Sequence, residues 1–333
     1  MTMTTMDVKL KPGNYKSGLA PVWCPGCGDF GILNSLYRAM AELQIEPWNT
    51  VILSGIGCSS RLPGYVHSYG FNGVHGRALT LATGVKVARP ELTVIAVGGD
   101  GDGLAIGGNH LMHAARRNLD VTYILMDNEI YGLTKGQYSP TSRAGTVSPS
   151  SPTGSVDTPV SPGHFALGAG AKFFARAIDT DKPGLGDVLR QAHAFDGASF
   201  TEIFQNCIVY NEDVFAAFTD RRDAAVSQLH LEHGKPMLFG EDNGKGIRFN
   251  PDTFALEVID ANESPGDVLV HDERNAVVAR LLIDLQLPVA LGVIYRQPGV
   301  AYEEAFYTHH PTRMQRTKGV AEFIKGPNSW TVT

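Results

Sequence analysis

The segment LTVIAVGGDGDGLAIGGNHLMHAARR, residues 92–117, carries the strongest indication of the fold. Its apolar start at 92–97 predicts a buried strand of a parallel sheet. A glycine-rich loop from Gly99 to Gly103 follows, and a helical pattern begins near Leu104 and ends near Arg117. Because glycine allows close backbone approach and a helix N-terminus presents free amides, this strand-loop-helix unit predicts a cradle for a phosphate group.

A second strand and a polar pair complete this motif. The apolar run at 121–126 predicts the strand, and Asp127 and Asn128 follow it directly. A lone GDG triplet more often marks a turn. Here residues 102–126 place 25 positions between the triplet and the polar pair, and a predicted helix joins the two halves. This spacing and context match the thiamine diphosphate motif, in which Asp100 and Asn128 give Mg²⁺ two of its oxygen ligands.

The rest of the pattern predicts an α/β fold. Apolar runs at 51–56 and 199–205 predict two more strands, and a helical pattern through Ile32 and Met40 follows a candidate cap at Asp29. Because strands and helices alternate, we expect a doubly wound, mostly parallel sheet. The irregular C-terminal part offers only one local signal, a hairpin turning on Asn243 and Gly244.

A stretch rich in Ser, Thr, Pro and Gly lies at 136–165 and has no apolar period. It predicts a long irregular loop, with a flexible linker as the alternative. Loops of this length inside compact domains are often functional.

Composition excludes several classes of partner. The 333 residues are 43 % apolar, enough for a sizeable core, and the net charge of -6 gives no support for nucleic-acid binding. Residues 1–13 lack the apolar region of a secretion signal, and no apolar run approaches the roughly 20 residues that a membrane span needs. We expect a cytoplasmic protein that binds neither nucleic acid nor membrane.

Four cysteines, Cys24, Cys27, Cys58 and Cys207, form a complete ligand set for a zinc ion or an iron-sulfur cluster. Their spacing leaves zinc, cluster and unrelated buried thiols open. Position is more informative, because Cys58 and Cys207 follow predicted strands, and in open α/β sheets ligands bind at the carboxyl ends of strands. A redox cluster beside the predicted cofactor makes better chemical sense there than a structural zinc.

Five stretches together resemble one family, the β subunits of 2-oxoacid:ferredoxin oxidoreductases, and most closely the 2-oxoglutarate branch. They are WCPGCGDFGIL at 23–33, GIGCSSR at 55–61, HGRALTLATGVKVARP at 75–90, GGDGDGLAIGGNH at 98–110 and NEIYGLTKGQYSPTS at 128–142. The resemblance resumes around Cys207 and is loose over the last hundred residues. Asp127 stands where many thiamine enzymes have a first Asn.

The resemblance implies three groups of site residues. All four cysteines would bind a 4Fe-4S cluster, and Asp100, Asn128 and the carbonyl of Ile130 would bind Mg²⁺. The expected cofactor contacts include the glycines of the cradle, and His75 and Leu133 among them are expected to act in catalysis. The contacts are Ile56, Gly57, Cys58, Ser59, His75, Gly99, Gly101, Asp102, Gly103, Gly132 and Leu133.

The resemblance also implies an activity and a division of the chain. The activity is oxidative decarboxylation of 2-oxoglutarate with coenzyme A as co-substrate and ferredoxin as acceptor, reversible as reductive carboxylation. Residues 1–210 would form the domain that binds thiamine diphosphate and the cluster, and 211–333 a C-terminal extension packing on the core or on a partner. An α subunit, in an expected α2β2 heterotetramer, would supply the aminopyrimidine-binding domain.

Three alternatives remain at this point. Pyruvate or a broad range of 2-oxoacids could be the substrate, or the chain could be a non-redox thiamine enzyme with a structural zinc. A metal-stabilised binding module is the third.

Arg61, three residues after Cys58, is a further expected catalytic residue, because its guanidinium could pair with the second carboxylate of 2-oxoglutarate.

Overall fold

The computed structural model describes residues 9–310 and residue 330. In this part of the chain the strands are β1 (Thr50–Ser54), β2 (Tyr69–Asn72), β3 (Thr93–Gly99), β4 (Thr122–Asp127), β5 (Ile130–Tyr131), β6 (Gln137–Tyr138), β7 (Phe173–Ile178), β8 (Ser199–Phe204), β9 (Gln228–His230), β10 (Leu238–Phe239), β11 (Lys245–Asn250), β12 (Ala255–Asp260) and β13 (Val289–Arg296). The helices are α1 (Asp29–Glu42), α2 (Leu62–Tyr65), α3 (Ala78–Ala88), α4 (Gly108–Arg117), α5 (Pro162–Gly168), α6 (Lys182–His193), α7 (Ala216–Thr219), α8 (Ala224–Ser227), α9 (Ala276–Asp284) and α10 (Tyr302–His309).

Eight strands form the central sheet in the order β2-β1-β3-β4-β8-β7-β13-β9. Every neighbouring pair is parallel except β7 with β13. The predicted α/β class with a mostly parallel sheet is confirmed. The four predicted strands correspond to β1, β3, β4 and β8, which lie side by side in the middle of the sheet.

The sheet is covered on both faces, as expected of a doubly wound fold. Along β3, Val94 and Ala96 join a core cluster with α3, α4, α5 and α9. Ile95 and Val97 point the other way and join a second cluster with α1 and α6. Because alternate residues of each central strand are buried on opposite faces, the strands are continuous apolar runs in the sequence.

Two predicted helix starts are wrong by a few residues. The N-cap of α1 is Gly28, and Asp29 is instead the first helical residue, with 1 % of its surface exposed. Asp29 therefore does not cap the helix, and its side chain is buried where it lines the cavity described below. The helical backbone after the glycine loop begins at Gly101, as a π-helical segment through Ile106, and not at Leu104. π-Helical segments are rare and frequently mark functional sites.

Residues after 210 contribute regular structure of their own. β9 and β13 extend the central sheet, and β10, β11 and β12 form a small antiparallel sheet. The predicted hairpin is confirmed as β10-β11, connected through a short 3-10 helix at Glu241–Asn243. No helix of the described residues is long and apolar enough to cross a membrane.

A buried ion pair joins the two central strands β7 and β8. Arg176 and Glu202 are register partners, and Arg176 Nε lies 2.7 Å from Glu202 Oε2. Their side chains are 7 % and 2 % exposed, and Arg176 also donates to the carbonyl of Ile283 on α9. The pair therefore ties the sheet to a covering helix.

Replacing Arg176 by Met is expected to lower the free energy of unfolding by roughly 3–5 kcal/mol, because Glu202 is then left buried without its counter-ion. Urea denaturation followed by circular dichroism measures the loss. Arg222→Met, at the exposed pair with Asp220, is the control and should unfold at the wild-type midpoint. Equal midpoints for both variants would contradict the importance of the buried pair.

Candidate functional site

The carboxyl ends of β1, β3, β4 and β8 meet around a cavity at one edge of the sheet. The structure brings thirteen of the predicted cofactor and Mg²⁺ residues into its wall, and only Gly103 of that set is absent from it. The thirteen are Ile56, Gly57, Cys58, Ser59, His75, Gly99, Asp100, Gly101, Asp102, Asn128, Ile130, Gly132 and Leu133. Parallel pairing therefore places both halves of the motif in one pocket, which we name the diphosphate cavity.

The carboxylate of Asp100 is buried and held by two hydroxyl groups of the long loop. Ser139 Oγ donates to its Oδ2, and Thr141 Oγ1 lies 2.7 Å from the same oxygen and 2.9 Å from Asp127 Oδ1. Burial raises the pKa of both carboxyls, and the hydroxyl groups offset part of this effect at Asp100. Two adjacent buried acids favour a bound cation, which would relieve the cost of ionising them.

Asp102 fixes the position of His75. Its Oδ1 accepts hydrogen bonds from the backbone N–H groups of Ile56 and Gly76, at 2.8 and 2.7 Å, and lies 2.8 Å from His75 Nδ1. Asp102 is 3 % exposed, whereas the His75 side chain is 40 % exposed on the cavity wall. The second aspartate of the GDGD sequence thus links the loop after β1 to the imidazole.

Tyr131 was not predicted from the sequence and forms part of the wall of the diphosphate cavity. Its hydroxyl donates to the carbonyl of Gly101 at 3.0 Å, and its ring meets that of His75 edge-on, with centroids 6.1 Å apart. Gly101 packs so closely on this ring that a Cβ atom there would overlap it. The glycine is therefore required by packing as well as by any ligand.

All four cysteines line a second cavity, of about 330 Å³, which we name the cysteine cavity. A Cβ atom at Gly132 would lie 3.3 Å from Cys207 Sγ and 3.6 Å from Cys58 Sγ, so these two sulfurs flank the glycine. Burial raises the pKa of Cys58 to about 12 and that of Cys27 higher still. These thiols stay protonated at neutral pH unless a positive centre stabilises the thiolates.

The two cavities adjoin. Both are lined by Cys58, Asn128, Gly132, Leu133 and Gln205. The residues predicted for the cysteine site and for the diphosphate site therefore lie side by side in the structure. No three His, Cys, Asp or Glu side chains within residues 9–310 come close enough to hold a single metal ion.

Arg61 lies on the cysteine cavity and not on the diphosphate cavity. It is exposed, and its Nε donates to Tyr65 Oη at 3.3 Å.

The predicted loop at 136–165 is irregular only between β6 and α5, over residues 139–161, because β6 and the start of α5 occupy its two ends. Its first part is not a flexible linker. Ser139, Thr141 and Ser142 are buried, and Ser142 Oγ donates to the carbonyl of Glu129. The loop therefore forms hydrogen bonds to both halves of the motif, the GDG triplet and the segment that follows β4. Ser139 and Thr141 were missed as site residues because nothing in a Ser/Thr-rich run shows which hydroxyl groups reach inward.

Comparison with known proteins places the fold in a class. Residues 55–203 match the family described as "Thiamine pyrophosphate enzyme, C-terminal TPP binding domain". The matched range begins directly after β1 and ends in β8, and it contains every residue that lines the diphosphate cavity except Asp29 and Gln205. The fold is that of a thiamine pyrophosphate-binding domain.

Individual relatives narrow the class. The chain is 41 % identical to "2-oxoglutarate oxidoreductase subunit KorB" of Mycobacterium tuberculosis, over 98 % of this chain and 90 % of that one. It is 43 % identical to "2-oxoacid:ferredoxin oxidoreductase 1, subunit beta" of Aeropyrum pernix, over 62 % of this chain and 64 % of that one. The solved 2-oxoglutarate:ferredoxin oxidoreductase from Magnetococcus marinus, which has 2-oxoglutarate, coenzyme A and succinyl-CoA bound, superimposes with a TM-score of 0.75 at 33 % identity, covering 98 % of each chain. The chain belongs to the family of 2-oxoacid:ferredoxin oxidoreductase β subunits.

Gly101→Ala is expected to destabilise the protein by about 1–3 kcal/mol, because the added methyl group displaces the Tyr131 ring. Chemical denaturation measures the loss. Gly84→Ala, on the open surface of α3, has nothing within 4 Å of the new Cβ atom and should be neutral or slightly stabilising. A Gly101→Ala variant as stable as Gly84→Ala would show that the Tyr131 wall is not closely packed.

Proposed function

We propose that this chain is the β subunit of a 2-oxoglutarate:ferredoxin oxidoreductase. The reaction is oxidative decarboxylation of 2-oxoglutarate to succinyl-CoA and CO₂, reversible as reductive carboxylation, with electrons leaving to ferredoxin. The observation that carries the proposal is the contact between the diphosphate cavity and the cysteine cavity, which share five residues. Four free thiols fit the reducing cytoplasm as the compartment.

The residues of the diphosphate cavity fit a thiamine diphosphate held through Mg²⁺. Asp100, Asn128 and the carbonyl of Ile130 would supply oxygen ligands, the donor type that Mg²⁺ prefers. The Asn128 amide nitrogen is engaged with Gln205, which leaves its oxygen as the ligand atom. The glycine-rich backbone that starts at Gly101 would receive the diphosphate, since each glycine removes a side chain from the path of the anion.

The residues of the cysteine cavity fit a 4Fe-4S cluster better than zinc. A zinc ion draws four sulfurs to within about 2.3 Å of one point. Here Cys24, Cys27, Cys58 and Cys207 line a cavity of about 330 Å³, and no three His, Cys, Asp or Glu side chains of residues 9–310 are placed to hold one ion. A cluster fills such a space and offers an iron to each thiolate.

When bound, thiamine diphosphate supplies a nucleophilic carbon for the 2-oxoacid carbonyl and an acceptor for the electron pair left by CO₂. The chain's own residues position and shield this chemistry. Asp102 holds one ring nitrogen of His75, so the other is free to hold or move a proton at the cavity wall. Leu133 lines both cavities, and its apolar side chain would exclude water there once a partner subunit covers it.

An α subunit is expected to close the diphosphate cavity. Two apolar side chains that line it are exposed in the single chain, Ile56 at 41 % and Leu133 at 54 %. Val74, next to His75 in the sequence, and Ile106, which lies against Gly76, are exposed at 69 % and 53 %. Apolar surface of this kind, next to a ligand site, marks a protein interface. The α subunit would bring the aminopyrimidine-binding domain, in an α2β2 assembly.

Three assays test the proposal. The chain alone should lack activity, whereas the chain purified anaerobically with its α subunit should reduce a viologen dye with 2-oxoglutarate and coenzyme A. Metal analysis should find four irons and four sulfides per β subunit.

One zinc in a colourless protein would indicate the non-redox alternative, and equal rates on pyruvate would indicate the broad-specificity one. If the protein bound no thiamine diphosphate, the remaining alternative would be the non-catalytic, metal-stabilised binding module.

Two variants should separate the two sites. Cys207→Ala should lose iron and the brown absorbance, because four ligands leave no spare. Asp100→Ala should keep the brown colour and lose Mg²⁺-dependent binding of thiamine diphosphate, by at least tenfold in calorimetry, because a carboxylate ligand is gone. Unchanged iron content in Cys207→Ala, or unchanged cofactor affinity in Asp100→Ala, would refute the corresponding assignment.

Arg61→Ala tests how the substrate is chosen. If Arg61 pairs with the distal carboxylate, kcat/KM for 2-oxoglutarate should fall about tenfold to a hundredfold, with little change for 2-oxobutyrate, which lacks that group. Arg89→Ala, at an exposed pair with Glu91, is the matched control. Equal losses on both substrates would assign Arg61 to the shared 1-carboxylate or to loop structure instead.

A further inference from the structure

Gln205 connects the two cavities through a single buried side chain. Its Oε1 accepts from Asn128 Nδ2 at 2.7 Å, and its Nε2 donates to Cys27 Sγ at 3.3 Å and to the carbonyl of Asn206 at 2.6 Å. It is 1 % exposed and lines both cavities. One amide group thus contacts a proposed Mg²⁺ ligand and a proposed cluster ligand at the same time.

The backbone sets the direction of this amide. Gln205 follows β8, and its own N–H donates to the carbonyl of Asp127 at 2.8 Å, which places it beside Asn128 at the end of β4. The Asn206 carbonyl can only accept, so the Gln205 nitrogen must face it and the Gln205 oxygen must face Asn128. That in turn requires the Asn128 nitrogen to face Gln205, and the Asn128 oxygen to face the other way.

The consequence for Asn128 is a fixed ligand atom. Asn128 Oδ1 accepts from the N–H of Ile130 at 3.2 Å and keeps lone-pair capacity for a cation. Partners that orient a metal ligand in this way commonly contribute about tenfold to a hundredfold to metal affinity. Without Gln205 the amide of Asn128 is free to rotate and present its nitrogen.

The consequence for Cys27 is a hydrogen bond to sulfur. An N–H that points at a thiolate stabilises negative charge on it, and hydrogen bonds to the sulfurs are among the features that set cluster potentials. Because reduction adds negative charge to a cluster, the Gln205 amide favours the reduced form.

We propose that Gln205 is a positioning residue for both metal sites, orienting Asn128 toward Mg²⁺ and raising the reduction potential of the cluster held by Cys27. The inference rests on the proposed function. It goes beyond it by assigning to a residue outside every ligand set two measurable effects, one on cofactor affinity and one on potential.

Gln205→Leu removes both contacts at nearly constant volume. In the full chain purified anaerobically with its α subunit, the Kd for thiamine diphosphate with Mg²⁺ should rise about tenfold or more by calorimetry. The cluster midpoint, followed by electron paramagnetic resonance during a redox titration, should become more negative. A tenfold change in the ratio of reduced to oxidised cluster corresponds to about 59 mV for one electron.

Gln205→Glu keeps the size and an acceptor for Asn128 but lacks the donor to sulfur. It should lower the potential at least as far as Leu does while weakening cofactor affinity less, and it carries the test if Gln205→Leu fails to fold. Gln191→Leu on the surface of α6 is the matched control and should change neither quantity. Iron content and the thermal midpoint confirm that each variant is folded and loaded.

A wild-type potential in both variants, or a wild-type cofactor Kd in Gln205→Leu, would overturn the inference. Failure of the proposed function has a different signature, because the wild-type protein itself would then lack iron or would not bind thiamine diphosphate. The two failures are therefore distinguishable in the same set of samples.

Discussion

Parallel pairing of β1, β3, β4 and β8 is the constraint on which the site depends. In a parallel sheet every strand ends at the same edge, so loops far apart in the chain meet there. The four strands are buried on both faces, and this packing fixes the register that sets Asn128 beside Gln205 and the GDG loop beside the loop that follows β1. A shift of one strand would separate the two cavities.

Acidic side chains and cysteines are concentrated at the edge of the sheet where these strands end. Burial raises the pKa of Asp29 and of Glu129 to about 7, and it raises the pKa of Asp100 as well. Raised carboxyl pKa values mean that the folded chain holds protons more firmly than the unfolded chain does, so ionising these groups costs stability as pH rises. Mg²⁺ bound at the proposed site would offset that cost at Asp100 and would stabilise the folded chain by mass action.

The glycine-rich loop, the polar pair after β4 and the cysteines were predictable because each depends on residue type and position after an apolar run. The α/β class followed from the same runs. β2 was not predictable, because all four of its residues are exposed. Gln205, Thr141 and Tyr131 were not predictable either, because their roles come from contacts across 77, 41 and 30 residues of sequence. An amide, a hydroxyl and a phenol carry no local signal of such contacts.

The proposed thiamine diphosphate site and the proposed iron-sulfur cluster would lie next to each other in this chain, since the two cavities share five residues. Replacing Mg²⁺ with paramagnetic Mn²⁺, in the complex with the α subunit and thiamine diphosphate, tests it directly. Electron paramagnetic resonance of the reduced cluster should show faster relaxation and broadening that depend on Mn²⁺ and vanish in Asp100→Ala. A cluster signal indifferent to bound Mn²⁺, or a protein without iron, would contradict the account.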